Sequence, residues 1–151
     1  MPSSIATTPP CLRAGIFRYR ARAKFSGVEA SASWTLAEGL TLEGFVTDLE
    51  AKDATGSQLP YRPDTTAQVS ARFSSDKTHW LLLARYTGDR GDGFGTVLDE
   101  YTVMDSSFRY TITEDLSISV RAENLTNKAY SDIVGYRSAG RTLYLGLNVS
   151  L

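Results

Sequence analysis

The chain has 151 residues, of which 42% are hydrophobic, and this is enough for a single domain without requiring a second. The formal net charge of -1 offers no general attraction to nucleic acid, so no nucleic-acid partner is expected. Cys11 is the only cysteine and His79 the only histidine, so the usual ligands of zinc sites and the usual base of a catalytic triad are scarce. No metal site, cofactor or catalytic residue is predicted, and the chain is not expected to be an enzyme.

Extended segments in which polar and apolar residues alternate follow one another along the chain. Residues 1–14 lack this pattern and are predicted to be an unstructured tail, separate from the domain at 15–151. Alternation with a period of two is typical of strands that have one apolar and one polar face. It predicts about eight strands, at 15–23, 28–36, 40–49, 67–73, 79–87, 100–112, 116–123 and 142–151.

The lengths of the strands and of their connections favour a membrane barrel. Most segments approach or reach the roughly nine to eleven residues that a tilted strand needs to cross a bilayer. Short turns at 37–39, 75–77 and 113–115 alternate with long links at 50–63, 88–98 and 124–140. An up-and-down meander would put all long links at one end, as outer-membrane barrels do. The predicted fold is therefore all-β, an antiparallel meander that forms part, or a small version, of an outer-membrane β-barrel.

The polar faces of these strands carry many charges. Glutamate, aspartate and arginine side chains recur on them, at Glu29, Glu43, Arg72, Arg85, Asp105, Arg109, Arg121 and Glu123. A dry core could not hold so many charges, so this face is expected to be hydrated. The opposite face must then be covered by lipid or by a second sheet, and alternation alone does not decide between them.

Short motifs in a fixed order resemble those of TonB-dependent receptors. Towards the end of the chain they are Asn124-Leu125, Lys128, Tyr130, Gly135-Tyr136 and Gly140-Arg141-Thr142, followed by a last alternating strand. The upstream motifs that agree in order are Gly27-Val28-Glu29, Gly39-Leu40, Leu59-Pro60, Arg62-Pro63 and Tyr101-Thr102-Val103 with Asp105. The resemblance spans residues 27–151 and places the chain in the carboxy-terminal part of such a barrel.

This resemblance implies a location and partners. A complete relative would lie in the outer membrane of a Gram-negative bacterium, in contact with its lipid. It would bind a metal chelate (a siderophore) or cobalamin and import it with energy coupled through TonB. Such receptors have a plug domain and about 22 strands, so this chain is not expected to transport on its own.

The resemblance also implies two sets of site residues. The ligand would meet the long loops, where Tyr61, Arg62, Arg90 and Tyr136 are the candidate contacts. The last strand is expected to be read by the barrel-assembly machinery, through Tyr144, Gly146, Val149 and Leu151. The family usually ends in phenylalanine, and Leu151 departs from that pattern.

Two other hypotheses fit the alternation. One is a small closed barrel that acts as a membrane anchor or narrow pore, since eight strands can close around a lumen filled by side chains. The other is a soluble β-sandwich or lipocalin-like binding module, in which the apolar faces would pack on each other or enclose a ligand.

Overall fold

A computed structural model describes residues 11–20 and 23–150 and contains ten strands within them. Eight belong to one sheet and two short strands form a small hairpin inside a loop. The strands are β1 (Cys11–Arg20), β2 (Ala23–Ala37), β3 (Leu40–Asp53), β4 (Thr65–Ser74), β5 (Thr78–Thr87), β6 (Arg90–Gly91), β7 (Val97–Leu98), β8 (Tyr101–Thr113), β9 (Leu116–Glu123) and β10 (Thr142–Val149). In the part of the chain described, no helix has the length and apolar character needed to cross a membrane.

The main sheet is an antiparallel meander in the order β1-β2-β3-β4-β5-β8-β9-β10. Each strand pairs with its neighbour along the chain, apart from the β6–β7 hairpin between β5 and β8. Strands β1 and β10 are the two edges, and within 11–20 and 23–150 they do not pair with each other. The predicted all-β meander of eight strands is confirmed. The sheet is open, which disagrees with the hypothesis of a small closed barrel.

Several predicted boundaries need correction. Strand β1 begins at Cys11, not at residue 15, because Cys11 to Ala14 continue the ladder opposite Ser33 to Ala30. Four residues assigned to the tail thus belong to the sheet, while residues 1–10 lie outside the described part. Strand β3 extends to Asp53, beyond the predicted end at residue 49, since Glu50 to Asp53 pair with Ser26 to Ala23.

All the long connections lie at the same end of the sheet, as predicted. The turns Glu38–Gly39, Ser75–Lys77 and Glu114–Asp115 join strands at the opposite end. We name the long connections L1 (54–64), L2 (88–100, which contains β6 and β7) and L3 (124–141). Gly39 has a φ of +75°, and a Cβ there would lie 2.1 Å from the Ser74 carbonyl oxygen, so this turn requires glycine.

The strand register separates the side chains into two faces of opposite chemistry. One row across the sheet illustrates the apolar face, where Phe73, Trp80, Phe108 and Val120 are direct cross-strand partners. On the other face Arg85 Nη2 lies 2.7 Å from Asp105 Oδ2, and Arg72 Nη2 lies 3.3 Å from Glu43 Oε2. The sheet therefore has one apolar and one charged face, as predicted.

The described strands form a single layer with almost no core of their own. Their only apolar residues that are buried are Ala51 and Val103. The accessible surface of the chain is 11058 Å², whereas a globular protein of 16.5 kDa exposes about 7,500 Å². Because no second sheet in the described part covers the apolar face, the structure disagrees with the β-sandwich hypothesis.

Candidate functional site

The long loops form the best-packed polar region of the chain. Of the four polar residues that are buried among those described, three lie here, namely Arg90, Asp92 and Asn124. Neither of the two large sheet faces has comparable packing. A layer of ordered loops at one end of a sheet is a common location for binding sites.

Loop L2 is held in place by a hydrogen-bonded turn and a buried cation. Asp92 Oδ1 accepts the backbone N–H groups of Phe94 at 2.7 Å and Thr96 at 3.0 Å. These hydrogen bonds, the one from Phe94 first, lower the pKa of the Asp92 carboxyl below its usual range, against an opposing effect of desolvation. The turn is therefore more stable when the Asp92 carboxyl is ionised than when it is protonated.

Arg90 joins L2 to L3. Its side chain is 3% exposed, and Nη2 donates to the Ser131 carbonyl oxygen at 2.8 Å and to Asp132 Oδ1 at 2.9 Å. The guanidinium also lies 5.4 Å from the centre of the Tyr101 ring, within the range of a cation–π contact. Arg90 was predicted to contact the ligand, but in the structure its guanidinium is bound to L3 and joins that loop to L2.

Tyr101, the first residue of β8, completes this cluster. Its hydroxyl donates to Asp132 Oδ1 at 2.6 Å, and its ring lies 4.3 Å from that of Tyr130 in L3. We call Arg90, Tyr101, Tyr130 and Asp132 the loop clasp. This cluster cannot be recognised in the sequence, because Arg90 and Tyr101 are remote from Tyr130 and Asp132 in the chain and each resembles an ordinary loop or strand residue.

The base of L3 is fixed by asparagines. Asn124 and Asn127 have φ values of +50° and +52°, a backbone conformation that asparagine adopts more easily than most residues. Asn124 Nδ2 donates to the carbonyl oxygens of Lys128 and Ala139, while its Oδ1 accepts the Lys128 N–H at 2.8 Å. This explains in physical terms why the Asn124-Leu125 motif stands where β9 ends.

Loop L1 packs against loop L2. The Tyr61 N–H donates to the Gly91 carbonyl oxygen at 2.8 Å. A Cβ at Gly93, whose φ is +85°, would lie 2.7 Å from Pro60 Cγ, so L2 passes L1 too closely for a side chain. The three long loops are consequently one connected layer.

The remaining predicted ligand contacts are at the surface of this layer. Tyr136 is 75% exposed and Tyr61 is 37% exposed, and Arg62 is exposed as well. A cleft of about 440 Å³ lies between the start of β8 and L3. Its polar lining includes both cations and carboxylates, from Lys128, Arg137, Asp99 and Glu100. This volume falls within the usual range for small-molecule sites.

The predicted assembly residues are divided between the two faces of β10. Tyr144 and Gly146 are on the charged face, where Arg121 lies 5.7 Å from the Tyr144 ring centre and a Cβ at Gly146 would meet Ser119 Oγ. Val149 is on the apolar face and is 60% exposed. Leu151 lies outside the described residues.

Comparison with known proteins identifies the family. Residues 3–125 match the family model described as TonB dependent receptor-like, beta-barrel. The vitamin B12 transporter BtuB of Vibrio cholerae is 31% identical over 129 residues, which are 80% of this chain and 21% of that protein. The chain thus spans about a fifth of the length of this curated relative.

Solved structures agree on the fold. The ferric-catecholate import receptor Fiu of E. coli superposes with a TM-score of 0.73 at 22% identity, over 93% of this chain and 25% of that one. The pyoverdine outer membrane receptor FpvA of Pseudomonas aeruginosa gives a TM-score of 0.70 at 22% identity, over 85% of this chain and 22% of that one. At these identities the likeness shows the architecture alone, but the family match covers most of the sequence. The chain belongs to the TonB-dependent receptor family and forms part of its β-barrel.

Proposed function

We propose that this chain forms a loop-bearing wall of an outer-membrane receptor that binds cobalamin or a metal chelate. The single observation that carries the proposal is the layer of interlocked long loops at one end of a sheet that is apolar on one face and charged on the other. In this arrangement the apolar face, which includes Val69 and Leu145, meets outer-membrane lipid. The loop layer faces the outside of a Gram-negative cell.

Within the loop layer we assign ligand contact to Tyr61, Arg62 and Tyr136. Their side chains are exposed, whereas that of Arg90 is buried, so Arg90 serves as a positioning residue. The cleft beside Tyr130 offers aromatic surface together with the charges of Lys128 and Arg137. Cobalamin is favoured over a metal chelate by sequence, since the relative with 31% identity is a vitamin B12 transporter.

Energy-driven import belongs to the complete receptor. An open sheet of eight strands encloses no passage, so we propose that this chain alone binds ligand without transporting it. Coupling to TonB is likewise a property of the whole receptor. For assembly, we propose that the barrel-assembly machinery reads β10 through Tyr144, Gly146, Val149 and Leu151.

Equilibrium dialysis against the refolded chain in lipid vesicles tests the binding proposal. Cyanocobalamin and a ferric catecholate serve as the two probes. We expect one probe to bind, and binding to weaken about tenfold in Tyr136→Ala and in Arg62→Ala, the loss of about 1.4 kcal/mol each. Lys77→Ala, at the short-turn end of the sheet, is the matched control and should leave binding unchanged. An affinity that stays the same in both loop variants would contradict the assignment of these residues to ligand contact.

A further inference from the structure

A row of basic residues crosses the sheet where the apolar face ends towards the long loops. On β2 the last apolar residue of this face is Val28, and Lys24 lies on the same face because the register from Ala23 to Thr35 is continuous. Lys52 of β3 is the direct cross-strand partner of Lys24, and the backbone register of β1 places Arg20 opposite Lys24 on the other side. Three basic residues therefore follow one another across three neighbouring strands.

Side-chain contacts confirm which face the two lysines share. Ser26, between Lys24 and Val28 on this face, donates from Oγ to Glu50 Oε2 at 3.3 Å. The Lys52 ammonium forms an ion pair with the same Glu50 carboxylate. We call Lys24, Glu50 and Lys52 the rim cluster.

The backbone that carries the rim cluster is paired on both sides. Strand β2 lies between β1 and β3. Beyond the start of β4, strand β3 is bonded to loop L1, where the Leu59 N–H donates to the Ala51 carbonyl oxygen at 2.8 Å. The Ala51 side chain, between Glu50 and Lys52, points to the other face and is buried. Contacts among the described strands and L1 thus fix the position of the cluster.

The rim cluster has more positive charge than the carboxylates around it compensate. Like charges that are direct cross-strand partners destabilise a sheet. Glu50 pairs with Lys52, but within residues 11–20 and 23–150 no carboxylate forms an ion pair with the exposed Lys24. Asp48, the other carboxylate of this face, is opposite Val28, two rows away. The row is therefore complementary to an anion outside the chain.

We propose that the rim cluster binds a phosphate group of lipid A in the outer leaflet of the outer membrane. The inference rests on the membrane placement in the proposed function and is independent of the imported ligand. Lys24 lies about 14 Å beyond Val28 along β2, and the tilt of barrel strands reduces this to a height of about 10 Å. Lysine stems can bend back along the apolar surface from there, and their ammonium groups form charge-assisted hydrogen bonds with headgroup phosphates.

Lipid A with and without its phosphates tests the proposal. The chain in detergent micelles is titrated with each lipid, and native mass spectrometry counts the bound molecules. We expect bisphosphorylated lipid A to bind, and the dephosphorylated form to bind about tenfold more weakly or less. Lys24→Gln should weaken the binding of the bisphosphorylated form about fivefold. Lys77→Gln, which removes the same charge at the short-turn end, is the matched control and should leave it unchanged.

Glu50→Gln distinguishes a phosphate site from an ordinary hydrated surface. Loss of this carboxylate frees Lys52 and makes the cluster more positive. Bisphosphorylated lipid A should therefore bind more tightly, by a factor of up to about five. The effect is opposite in direction to that of Lys24→Gln, so general damage to the fold cannot produce both results.

Several results would overturn the proposal. Equal binding of the two forms of lipid A would do so, as would an affinity that is the same in Lys24→Gln and Lys77→Gln. Displacement of lipid A by inorganic phosphate at the same concentration would assign the site to free phosphate instead of the lipid. Each of these leaves the membrane placement intact. Failure of the chain to insert into vesicles, detected as its full digestion by trypsin, would overturn the membrane placement and the lipid site together.

Discussion

Arg90 and Asp132 are 42 positions apart in the sequence, yet Arg90 Nη2 lies 2.9 Å from Asp132 Oδ1 and joins loops L2 and L3. The arginine side chain is 3% exposed and that of the aspartate 59%, so the pair is buried on one side and hydrated on the other. Burial removes most of the hydration of the guanidinium, and its hydrogen bonds to Ser131 and Asp132 offset that cost.

Replacing Arg90 should separate the two loops. In Arg90→Met the Ser131 carbonyl oxygen and the Asp132 carboxylate lose their donor. We expect a loss of about 2 kcal/mol in the free energy of opening the loops, the usual contribution of hydrogen bonds made by a charged group. Hydrogen exchange should accelerate in L2 and L3, and also at the Tyr61 N–H of L1, which donates to the Gly91 carbonyl oxygen of L2. Exchange in the sheet should stay slow.

Arg72→Met provides the comparison for this effect. Arg72 pairs with Glu43 at 3.3 Å, but the two side chains are 57% and 42% exposed. An exposed pair contributes about 0–1 kcal/mol, so exchange should change little. Equal effects of the two substitutions would mean that Arg90 is not the clasp residue.

Asn124 should be more sensitive to substitution than other asparagines of the chain. Asn124→Ala removes three side-chain hydrogen bonds and places alanine at a φ of +50°. Asn124→Gly relieves the backbone strain but not the lost bonds, so it should be the milder change. We expect losses of about 3 and about 2 kcal/mol in the free energy of unfolding by urea.

Asn148→Ala on the exposed edge strand β10 is the control and should cost less than about 0.5 kcal/mol. If glycine proved as harmful as alanine at position 124, the side-chain bonds rather than the positive φ would account for the whole effect.

The strands could be predicted from the sequence, because alternation is local and the strand register preserves it. Leu116 to Glu123, for example, form β9 with the predicted bounds. The loop clasp could not be predicted, since Arg90 and Tyr101 meet Asp132 only after the pairing of β8 with β9 has brought L2 beside L3. Arg90 was predicted to contact a ligand because it lies in a glycine-rich loop and its distant partner Asp132 cannot be recognised from the sequence. The β6–β7 hairpin could not be predicted either, because strands of two residues are too short to show an alternation of polar and apolar side chains.

Acid should loosen the tip of L2. The pKa of Asp92 is lowered in the folded loop by the hydrogen bonds from Phe94 and Thr96. A group with a depressed pKa stabilises the fold above its unfolded pKa, and this contribution is lost as pH falls through the folded value. The L2 tip should therefore be ordered at neutral pH and should become progressively more mobile below about pH 4, the ordinary range of an aspartate.

Limited proteolysis in L2 between pH 7 and pH 3, with an acid-tolerant protease, measures this loosening. In Asp92→Asn the side chain keeps an acceptor but loses its charge, so the cleavage rate should become nearly independent of pH over that range. A pH profile that is the same in both proteins would assign the change to other carboxylates.

The two faces of the sheet should respond oppositely to a new charge. Val46 and Thr47 are neighbours on β3, and their side chains lie on opposite faces. Val46 is on the apolar face between Ala30 and Ala67, whereas Thr47 is opposite Glu29 on the charged face. A cation on the lipid side of a barrel costs about 2–4 kcal/mol at mid-membrane and less towards the surface.

Val46→Arg should thus destabilise the chain in lipid vesicles by about 2 kcal/mol, measured as a shift in the urea midpoint. Thr47→Arg should cost little, because Glu29 can pair with the new guanidinium in a hydrated space. The two variants carry the same new side chain one residue apart on the same strand. Their difference in stability therefore reports the medium, hydrocarbon or water, that each face meets. Equal destabilisation would mean that hydrocarbon does not cover the apolar face. If Thr47→Arg were the worse variant, the assignment of the two faces would be reversed.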